Sequence, residues 1–329
     1  MQQIIIDAHT HAAGVDFYNL FIPRKPLVQS TRDLILKMDL YGIDYSIVMP
    51  MPFAMYYDPR KVSQGEWALS GLEEFPYQVL NTTLLYESQE YSDRLFPFMA
   101  IDPRTKVEEQ IQFLTQQVER KKIYGLKLHT LATNSSATVL SDSLFAKFMK
   151  KYNLPIIIHA GRDTTTSPIH VLNFAKQNPE IRVCIAHLAG FDNSVLKQSL
   201  EIKNVFFDTS PFLSHCKFAV DDISSYVSSD RFNTNYDDPV NALLELSTYL
   251  KSKLLWGSDE PWTSVSNPKG AALSSFSYKD ECSILNQLNS MNHENTVNEI
   301  AYTNSLRFLY GDASLRLTKK ANKHHKNDH

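Results

Sequence analysis

Cysteine is scarce in this chain, and its three residues, Cys184, Cys216 and Cys282, are widely spaced. An odd number of cysteines without a CxxC pair indicates neither a disulfide framework nor a thiolate zinc site. Met1-Gln2-Gln3 leads straight into the apolar Ile4-Ile5-Ile6 without a charged leader. We therefore expect a protein of the reducing cytoplasm.

Long hydrophobic runs and a strong charge of either sign are also lacking. No apolar segment approaches the roughly 18–20 residues that cross a bilayer, which argues against a membrane protein. The 329 residues carry 33 Lys and Arg against 36 Asp and Glu, a formal net charge of -3. Such a balance offers no broad field to nucleic acid or anionic lipid. We expect the partner to be a small molecule.

The chain does contain eight short apolar runs that predict β-strands. They lie at Ile4–Ala8, Tyr45–Met49, Leu95–Ile101, Ile123–Leu128, Pro155–His159, Arg182–His187, Val205–Asp208 and Lys253–Gly257. Most are apolar throughout, as parallel strands covered by helices are. Helices are predicted between them, at Thr31–Leu40, Lys106–Arg120, Ser143–Tyr152, Ile169–Gln177, Asp192–Leu200 and Pro239–Leu250.

Alternation of eight strands with helices predicts an α/β protein of the (β/α)8 TIM-barrel class, with Lys279–Asn289 and Glu294–Leu309 as extra C-terminal helices. The alternative, a doubly wound open sheet, is disfavoured because no glycine-rich phosphate-binding fingerprint follows any strand. No linker divides the chain, so we predict one domain over residues 1–318. Residues 319–329 are predicted to be a polar, disordered tail.

Two connections are long for barrel loops, Pro50 to Arg94 and Ser210 to Asp238. Both leave the C-terminal ends of strands, where barrel enzymes build their active sites. They carry several aromatic residues: Phe53, Tyr56, Tyr57, Trp67, Phe212 and Phe232. These connections are predicted to form either a substrate lid or wall, or a structural flap or subunit contact such as that of a homodimer.

A His-x-His pair ends the first apolar run, Ile4-Ile5-Ile6-Asp7-Ala8-His9-Thr10-His11. Side chains two positions apart share one face of a strand, so His9 and His11 are predicted to project together. Two such imidazoles can bind one divalent ion. Asp7 is predicted to lie on the same face, one step deeper, where it would orient a ligand. Alone, such a pair is weak evidence for a metal site.

Three further strands end in a residue that can bind metal: His159, His187 and Asp259. Taken singly, each is more often a hydrogen-bonded core histidine or a helix-capping aspartate. Together with His9 and His11 they place five such residues on strands one, five, six and eight, at the end of a barrel where catalysis occurs. Packing does not explain this set, which predicts a metal site.

Strand four adds Gly125-Leu126-Lys127-Leu128-His129, with Lys127 and His129 on one face. An unpaired ammonium inside a barrel is costly. Lys127 is therefore predicted either to pair with an acid such as Asp7 or to be carbamylated and bridge two metals, with pairing favoured. His129 lies nearer the rim and is predicted to touch substrate or metal.

These motifs resemble the amidohydrolase superfamily, specifically the amidohydrolase-related branch that contains hydrolases and cofactor-independent decarboxylases. The matching segments, in the family's order, are Asp7–His11, Gly125–His129, Ile158–Gly161, Ala186–Gly190, Trp256–Asp259 and Asn304–Gly311. The resemblance implies one divalent metal, most often zinc, bound by His9, His11, His159 and Asp259. Manganese is an alternative. In binuclear members the positions of His187 and Lys127 bind a second ion.

A metal-activated water is predicted to attack the carbonyl carbon of an amide, ester or lactone. Asp259 would take the proton of the water and pass it to the leaving group. His187 would orient the water or stabilise the developing oxyanion. His129 and Arg162 are candidates for holding a substrate carboxylate, although Arg162 is equally well explained as an exposed loop residue.

Two other functions remain open at this point. The ligands of the metal do not separate hydrolysis from decarboxylation, in which carbon is protonated after carbon dioxide leaves. A metal-binding barrel without catalysis, used as a scaffold or regulator, is the third alternative. Because every ligand position is filled, we predict an enzyme, with hydrolysis as the first choice.

Overall fold

Eight parallel strands form the centre of the molecule. The computed structural model describes residues 3–13, 29–50, 58, 61, 71, 73–266 and 271–312. The strands follow one another around the sheet in chain order. They are β1 Ile6–Ala12, β2 Tyr45–Pro50, β3 Leu95–Ile101, β4 Gly125–Leu128, β5 Ile156–Ile158, β6 Val183–Ile185, β7 Val205–Asp208 and β8 Leu254–Leu255.

The sheet closes on itself where the chain beyond β8 meets β1. The N–H of Ala8 donates to the carbonyl of Trp256 at 3.0 Å, and the N–H of Asp259 donates to the carbonyl of His9 at 2.8 Å. A parallel bridge between Thr10 and Glu260 extends this contact. The predicted TIM barrel is confirmed.

Helices alternate with the strands. They span Thr31–Tyr41, Gln78–Ser88, Val107–Glu119, Leu144–Tyr152, Pro168–Gln177, Asn193–Ser199, Phe212–Val220 and Pro239–Leu250. The predicted extra helices follow β8, as Tyr278–Ser290 and then Glu294–Asn298, a π-helical stretch Glu299–Thr303 and Asn304–Tyr310. A single helical turn, Thr130–Thr133, follows β4.

The helix Thr31–Tyr41 has the ends that its sequence predicts. Ser30 caps its start, because the Ser30 hydroxyl accepts the N–H of Asp33 while the Asp33 carboxylate accepts the N–H of Ser30. Gly42 ends it with a left-handed φ of 73°, which glycine adopts without steric cost.

Two helices, Gln78–Ser88 and Phe212–Val220, lie in connections that were predicted as long loops. Gln78–Ser88 has no side-chain cap and contains Asn81, Thr82 and Thr83, which favour other conformations. Tertiary contacts support it, since the Asn81 amide bonds the N–H and carbonyl of Ala100 on β3, each at 2.9 Å. Packing, not local propensity, makes this segment helical.

The interior of the barrel below the functional rim is filled by apolar side chains from successive strands: Ala8, Ile47, Phe98, Ile157, Cys184, Phe206 and Leu255. In the part of the chain that is described, no helix combines the length and apolar character that crossing a membrane needs. Phe53, Tyr56, Tyr57, Trp67, the predicted boundary at residue 318 and the tail to His329 lie outside the described residues.

Candidate metal centre

Three of the predicted ligands meet at the C-terminal end of the barrel. Nε2 of His9 lies 3.3 Å from Nε2 of His11 and 3.3 Å from Oδ1 of Asp259. Nε2 of His11 lies 3.4 Å from the same oxygen. Among the described residues this is the one group of three or more such side chains with ligand atoms within 4.8 Å of one another.

The spacing of these three atoms suits a shared divalent ion. Atoms that bind one zinc ion at about 2.0–2.2 Å in a tetrahedron lie about 3.3–3.6 Å apart. Two imidazoles and a carboxylate are also the donor types that zinc and manganese accept. The residues therefore fit a divalent metal.

The hydrogen bonds behind the imidazoles fix which nitrogen carries the hydrogen. Nδ1 of His9 donates to Oδ2 of Asp208 at 2.9 Å, and Nδ1 of His11 donates to the carbonyl of Pro50 at 3.0 Å. Both acceptors lack a hydrogen, so each Nδ1 must carry one, and each Nε2 is left with a lone pair. That is the tautomer in which a histidine binds metal through Nε2.

The local backbone aims Asp259 at the two histidines. Asp259 has a left-handed φ of 64°, a conformation that aspartate adopts more readily than most residues. Burial alone would raise the pKa of Asp259, but the neighbouring His9, the hydrogen bond to His11 and His187 hold that pKa below its usual range. The carboxylate is therefore ionised at neutral pH. Burial also lowers the pKa of His9 to about 4, and the charge of Lys127 adds to this effect.

His159 is close to the three ligands but is not part of their cluster. Its ring stacks on that of His129, with 4.1 Å between centroids and 10° between planes. Nδ1 of His159 lies 2.9 Å from Nε2 of His187, and Nδ1 of His187 donates to the carbonyl of Ser210 at 2.6 Å. Nε2 of His187 is thus an acceptor, so Nδ1 of His159 donates to it and Nε2 of His159 holds the lone pair.

This chain of bonds occupies both ring nitrogens of His187. The sequence predicts that His187 orients a water. For that, the hydrogen bond between the rings of His187 and His159 would have to break. The backbone around His187 is unusual, because five consecutive residues, His187 to Phe191, have φ between 48° and 61°. The N–H of His187 donates to Oδ1 of Asp208 at 3.0 Å, which holds this left-handed turn against β7.

Asp7 does not lie where strand alternation places it. The register between β1 and β2 shifts by one residue between Asp7 and Thr10, and such an irregularity breaks the two-residue period. The carboxylate of Asp7 accepts the N–H of His9 at 3.1 Å and the N–H and hydroxyl of Ser258 at 3.0 and 2.7 Å. The expectation that Asp7 shares the face of His9 and His11 is corrected: its carboxylate binds the backbone of His9 and of Ser258.

Lys127 does lie inside the barrel, but its acid partner is not Asp7. Nζ of Lys127 lies 3.2 Å from Nε2 of His9. Burial lowers the pKa of Lys127, whereas the charges of Asp208 and Asp259 raise it. Asp7 is engaged by Ser258 instead, so the carboxylates that balance Lys127 are those around the metal ligands.

His129 and Arg162 both line the pocket above the triad. Nδ1 of His129 accepts the N–H of Ala132 at 3.1 Å, so the hydrogen of this neutral ring is on Nε2, where it can be donated. Arg162 is engaged by Asp192, with Nη1 3.0 Å from Oδ2. Its guanidinium is partly exposed and its charge is balanced.

The pocket has a volume of about 640 Å³, which suits a small molecule. Besides the predicted residues, its wall contains aromatic and apolar side chains from the three connections that follow β4, β7 and β8: Leu131, Pro211, Phe218, Tyr226, Trp262 and Val265. Phe218 and Tyr226 stack with centroids 4.5 Å apart. The connection after β7 thus supplies a wall of the pocket, one of the two alternatives that the sequence left open for it.

Two residues of the site were not predicted from the sequence. Asp208 is the last residue of β7 and His159 directly follows β5, so the same signal at the end of a strand was available. His215 lies in the helix Phe212–Val220 and also lines the pocket. No strand precedes it directly, and no sequence signal marks it.

Comparisons with known proteins agree with this architecture. Residues 6–309 match the family model described as Amidohydrolase. No curated protein matches the chain.

Among solved structures, the chain is similar to a probable 2-pyrone-4,6-dicarboxylic acid hydrolase of Acinetobacter baumannii with citric acid bound. The identity is 18%, the coverage 93% of this chain and 98% of that one, and the TM-score 0.59. It is also similar to a 5-carboxyvanillate decarboxylase of Novosphingobium aromaticivorans with bound manganese, at 11% identity, 93% and 97% coverage and a TM-score of 0.60. A TIM-barrel protein of Bordetella bronchiseptica matches at 14% identity, 93% and 98% coverage and a TM-score of 0.58. Likeness at these identities concerns the fold.

Proposed function

Because this chain belongs to the amidohydrolase family, we propose that it is a metal-dependent hydrolase that cleaves an amide, ester or lactone bond of a small, carboxylate-bearing substrate. The observation that carries the proposal is the convergence of His9, His11 and Asp259 in the wall of one pocket. His159 is the fourth residue that would hold the ion. Bound there, a divalent ion, zinc in our proposal, supplies Lewis-acid activation of a carbonyl group and of water.

Asp259 is the proton carrier of the proposed reaction. Its Oδ1 faces the two imidazoles, while Oδ2 accepts no hydrogen bond from the described residues. Its low pKa keeps it ionised, so it can accept a proton from a nucleophilic water and return it to the leaving group. In the arrangement observed, His187 positions His159 through their mutual hydrogen bond.

The substrate-holding groups lie on the rim. Nε2–H of His129 would donate to a carboxylate or carbonyl oxygen. The Arg162 guanidinium would bind a carboxylate through the N–H groups that do not bond Asp192. Phe218, Tyr226 and Trp262 line the remaining wall. A substrate bound against them would displace water, which would strengthen these polar contacts.

Decarboxylation is the second candidate. The fold is as similar to that of the 5-carboxyvanillate decarboxylase, with a TM-score of 0.60, as to that of the probable hydrolase, with a TM-score of 0.59. In that reaction Asp259 would first accept a proton from water or from a hydroxyl group of the substrate, and would then pass it to the carbon that carbon dioxide leaves. The two candidates differ in their products.

A substrate panel tests the proposal. Lactones, esters, N-acyl amino acids and aromatic acids are assayed with zinc and with manganese, and both acid formation and carbon dioxide release are followed. We expect hydrolysis of one of the first three classes, abolished by Asp259→Asn and unaffected by His170→Gln, a change at a histidine that is bonded to Ser136 away from the pocket. Carbon dioxide release without consumption of water would establish the second candidate instead. Turnover unchanged in Asp259→Asn would contradict both.

We also propose that the enzyme works in the reducing cytoplasm, where its three buried, free cysteines would stay as thiols, and that its partner is a small molecule. Light scattering of the purified protein would decide whether it is a monomer or a homodimer.

A further inference from the structure

His215 lines the pocket, but it has no role in the proposed hydrolysis. It lies in the first turn and a half of the helix Phe212–Val220, which leaves the C-terminal end of β7. Its ring is parallel to that of His187, with 5.6 Å between centroids and 6° between planes. His187 in turn lies 5.4 Å from the ring of His9. One imidazole ring, that of His187, therefore separates His215 from the candidate metal ligand His9.

The ring of His215 packs against three other rings and has a hydrogen-bond partner at one nitrogen. Besides His187, it contacts the ring of Phe191 at 6.2 Å and 89°, and the ring of Phe218 at 5.8 Å and 64°. Nδ1 lies 3.0 Å from the carbonyl of Pro211. The only hydrogen bond that the described residues offer to the ring is this one, and the ring lines the pocket.

The bond to Pro211 decides what the other nitrogen offers. A carbonyl only accepts, so Nδ1 carries the hydrogen and Nε2 presents a lone pair without a hydrogen. Burial and the neighbouring His187 lower the pKa of His215 to about 4, which is consistent with a neutral ring at physiological pH. Nε2 is thus an acceptor, whereas Nε2–H of His129 on the same pocket is a donor.

A purely structural role does not account for this arrangement. The Pro211 carbonyl already accepts the backbone N–H of His215 at 3.1 Å, so it does not need the side chain. The start of the helix is anchored separately, because Oε1 of Glu281 accepts the N–H of Leu213 at 3.0 Å. A phenylalanine would fill the same aromatic cage without burying a polar nitrogen.

We propose that Nε2 of His215 accepts a hydrogen bond from an N–H or O–H group of the substrate, which makes His215 a specificity-determining residue. A carbonyl or carboxylate oxygen at this position would face a lone pair, so the substrate must bring a donor. Together with the proposed hydrolysis, on which this step rests, the inference favours secondary amides over esters, lactones and N-alkylated amides. A buried acceptor that is left unpaired discriminates strongly against analogues that lack the donor.

Two probes that differ only at the amide nitrogen, which carries a hydrogen in one and a methyl group in the other, test the inference directly. N-benzoylglycine has an amide N–H, and N-benzoyl-N-methylglycine does not. Metal-loaded protein with 15N-labelled histidine is titrated with each, and the ring nitrogens are followed by NMR, with His215 identified through His215→Phe. We expect the Nδ1–H tautomer in the free protein and a shift of the Nε2 resonance with N-benzoylglycine only. An Nε2–H tautomer, equal shifts with both probes, or no binding of N-benzoylglycine would overturn the inference.

Matched variants separate the two ring nitrogens. His215→Asn keeps a donor for the Pro211 carbonyl but has no acceptor at the position of Nε2, whereas His215→Gln can place an oxygen near that position. Calorimetry should show N-benzoylglycine binding about 5–10-fold more weakly to the asparagine variant, with partial recovery in the glutamine variant. Affinity for the N-methyl probe should not change. Equal losses for both probes, with unchanged metal content and unfolding temperature, would mean that His215 only shapes the pocket.

The readout is independent of turnover, so the two proposals fail separately. If the Nε2 resonance responds as expected while no amide, ester or lactone is hydrolysed, the proposed function fails and the binding role of His215 stands. If hydrolysis occurs without a response of His215, the reverse holds.

Discussion

His9 donates its Nδ1–H to Oδ2 of Asp208 across 2.9 Å, between two side chains that are completely buried. The other oxygen of Asp208 accepts three donors: the N–H of His187, the N–H of Ser210 and the hydroxyl of Ser210, at 3.0, 3.2 and 2.6 Å. A single carboxylate on β7 therefore fixes the tautomer of His9 and the position of the turn that carries His187.

Asp208→Asn should impair metal binding more than the loss of one charge explains. The asparagine oxygen would keep the three donors on one side, so its NH2 would face Nδ1 of His9 and force that ring into the Nε2–H tautomer, which cannot bind metal through Nε2. We expect metal affinity to fall by about 10–100-fold or more, measured by competition with a chelator. Cys184→Ala, which removes another donor to Oδ2 at 3.4 Å, is the control and should bind metal normally. Equal affinity in Asp208→Asn and the parent would contradict the tautomer argument.

Lys127→Met tests whether the buried lysine bridges two ions. Burial already disfavours the charged form of Lys127, so an apolar chain of similar length should be tolerated or stabilising. Elemental analysis of protein purified without chelator should give about one equivalent of metal for both parent and variant. About two equivalents in the parent, falling in the variant, would show that Lys127 is carbamylated and bridges a second ion.

Asp192→Asn tests whether Arg162 holds the substrate carboxylate. Asp192 both balances Arg162 and caps the helix Asn193–Ser199 through its Oδ1, and asparagine keeps the cap. Removing the competing carboxylate should lower KM for a carboxylate-bearing substrate by about 3–10-fold with little change in kcat. Arg162→Met should raise KM. If neither variant changes KM, Arg162 is a structural partner of Asp192 alone.

Glu281 should make the protein less stable as the pH rises. Its carboxyl is fully buried, one oxygen accepts the N–H of Leu213, and the other has no partner among the described residues. Burial raises the pKa of Glu281 well above 4.5. The folded state therefore holds a proton that the unfolded state has released, so the free energy of unfolding falls as the pH rises from about 4.5 towards the folded pKa.

Urea unfolding between about pH 5 and pH 8 measures this effect. Glu281→Gln should remove up to about 1.4 kcal/mol of the decline per pH unit within that window, and should be more stable than the parent at the upper end. The same change at the exposed Glu201 should leave the pH profile as it is. A profile that Glu281→Gln does not flatten would show that this carboxyl is ionised in the folded protein.

Much of the fold was predictable from local patterns. The helix Pro239–Leu250 was predicted to the residue, because Asp238 caps it and proline suits its first turn. The strands were located by their apolar, β-branched runs, although β4, β5, β6 and β8 are shorter than predicted. The helix Gln78–Ser88 was missed because its contacts with β3 stabilise it, and those contacts join distant parts of the chain.

By itself, the sequence determined the barrel and the set of side chains at its rim, since parallel strands all end at one edge. His9 and His11 lie in the last part of β1, and His159, His187 and Asp259 follow β5, β6 and β8. The tertiary structure alone decided how these side chains are used. A one-residue register shift turned Asp7 away from the site. Hydrogen bonds to Asp208 and to the carbonyl of Pro50 set the tautomers of His9 and His11. An ion pair with Asp192 balances the charge of Arg162. Periodicity places a residue on a strand, but hydrogen-bond partners from other strands set its proton and its direction.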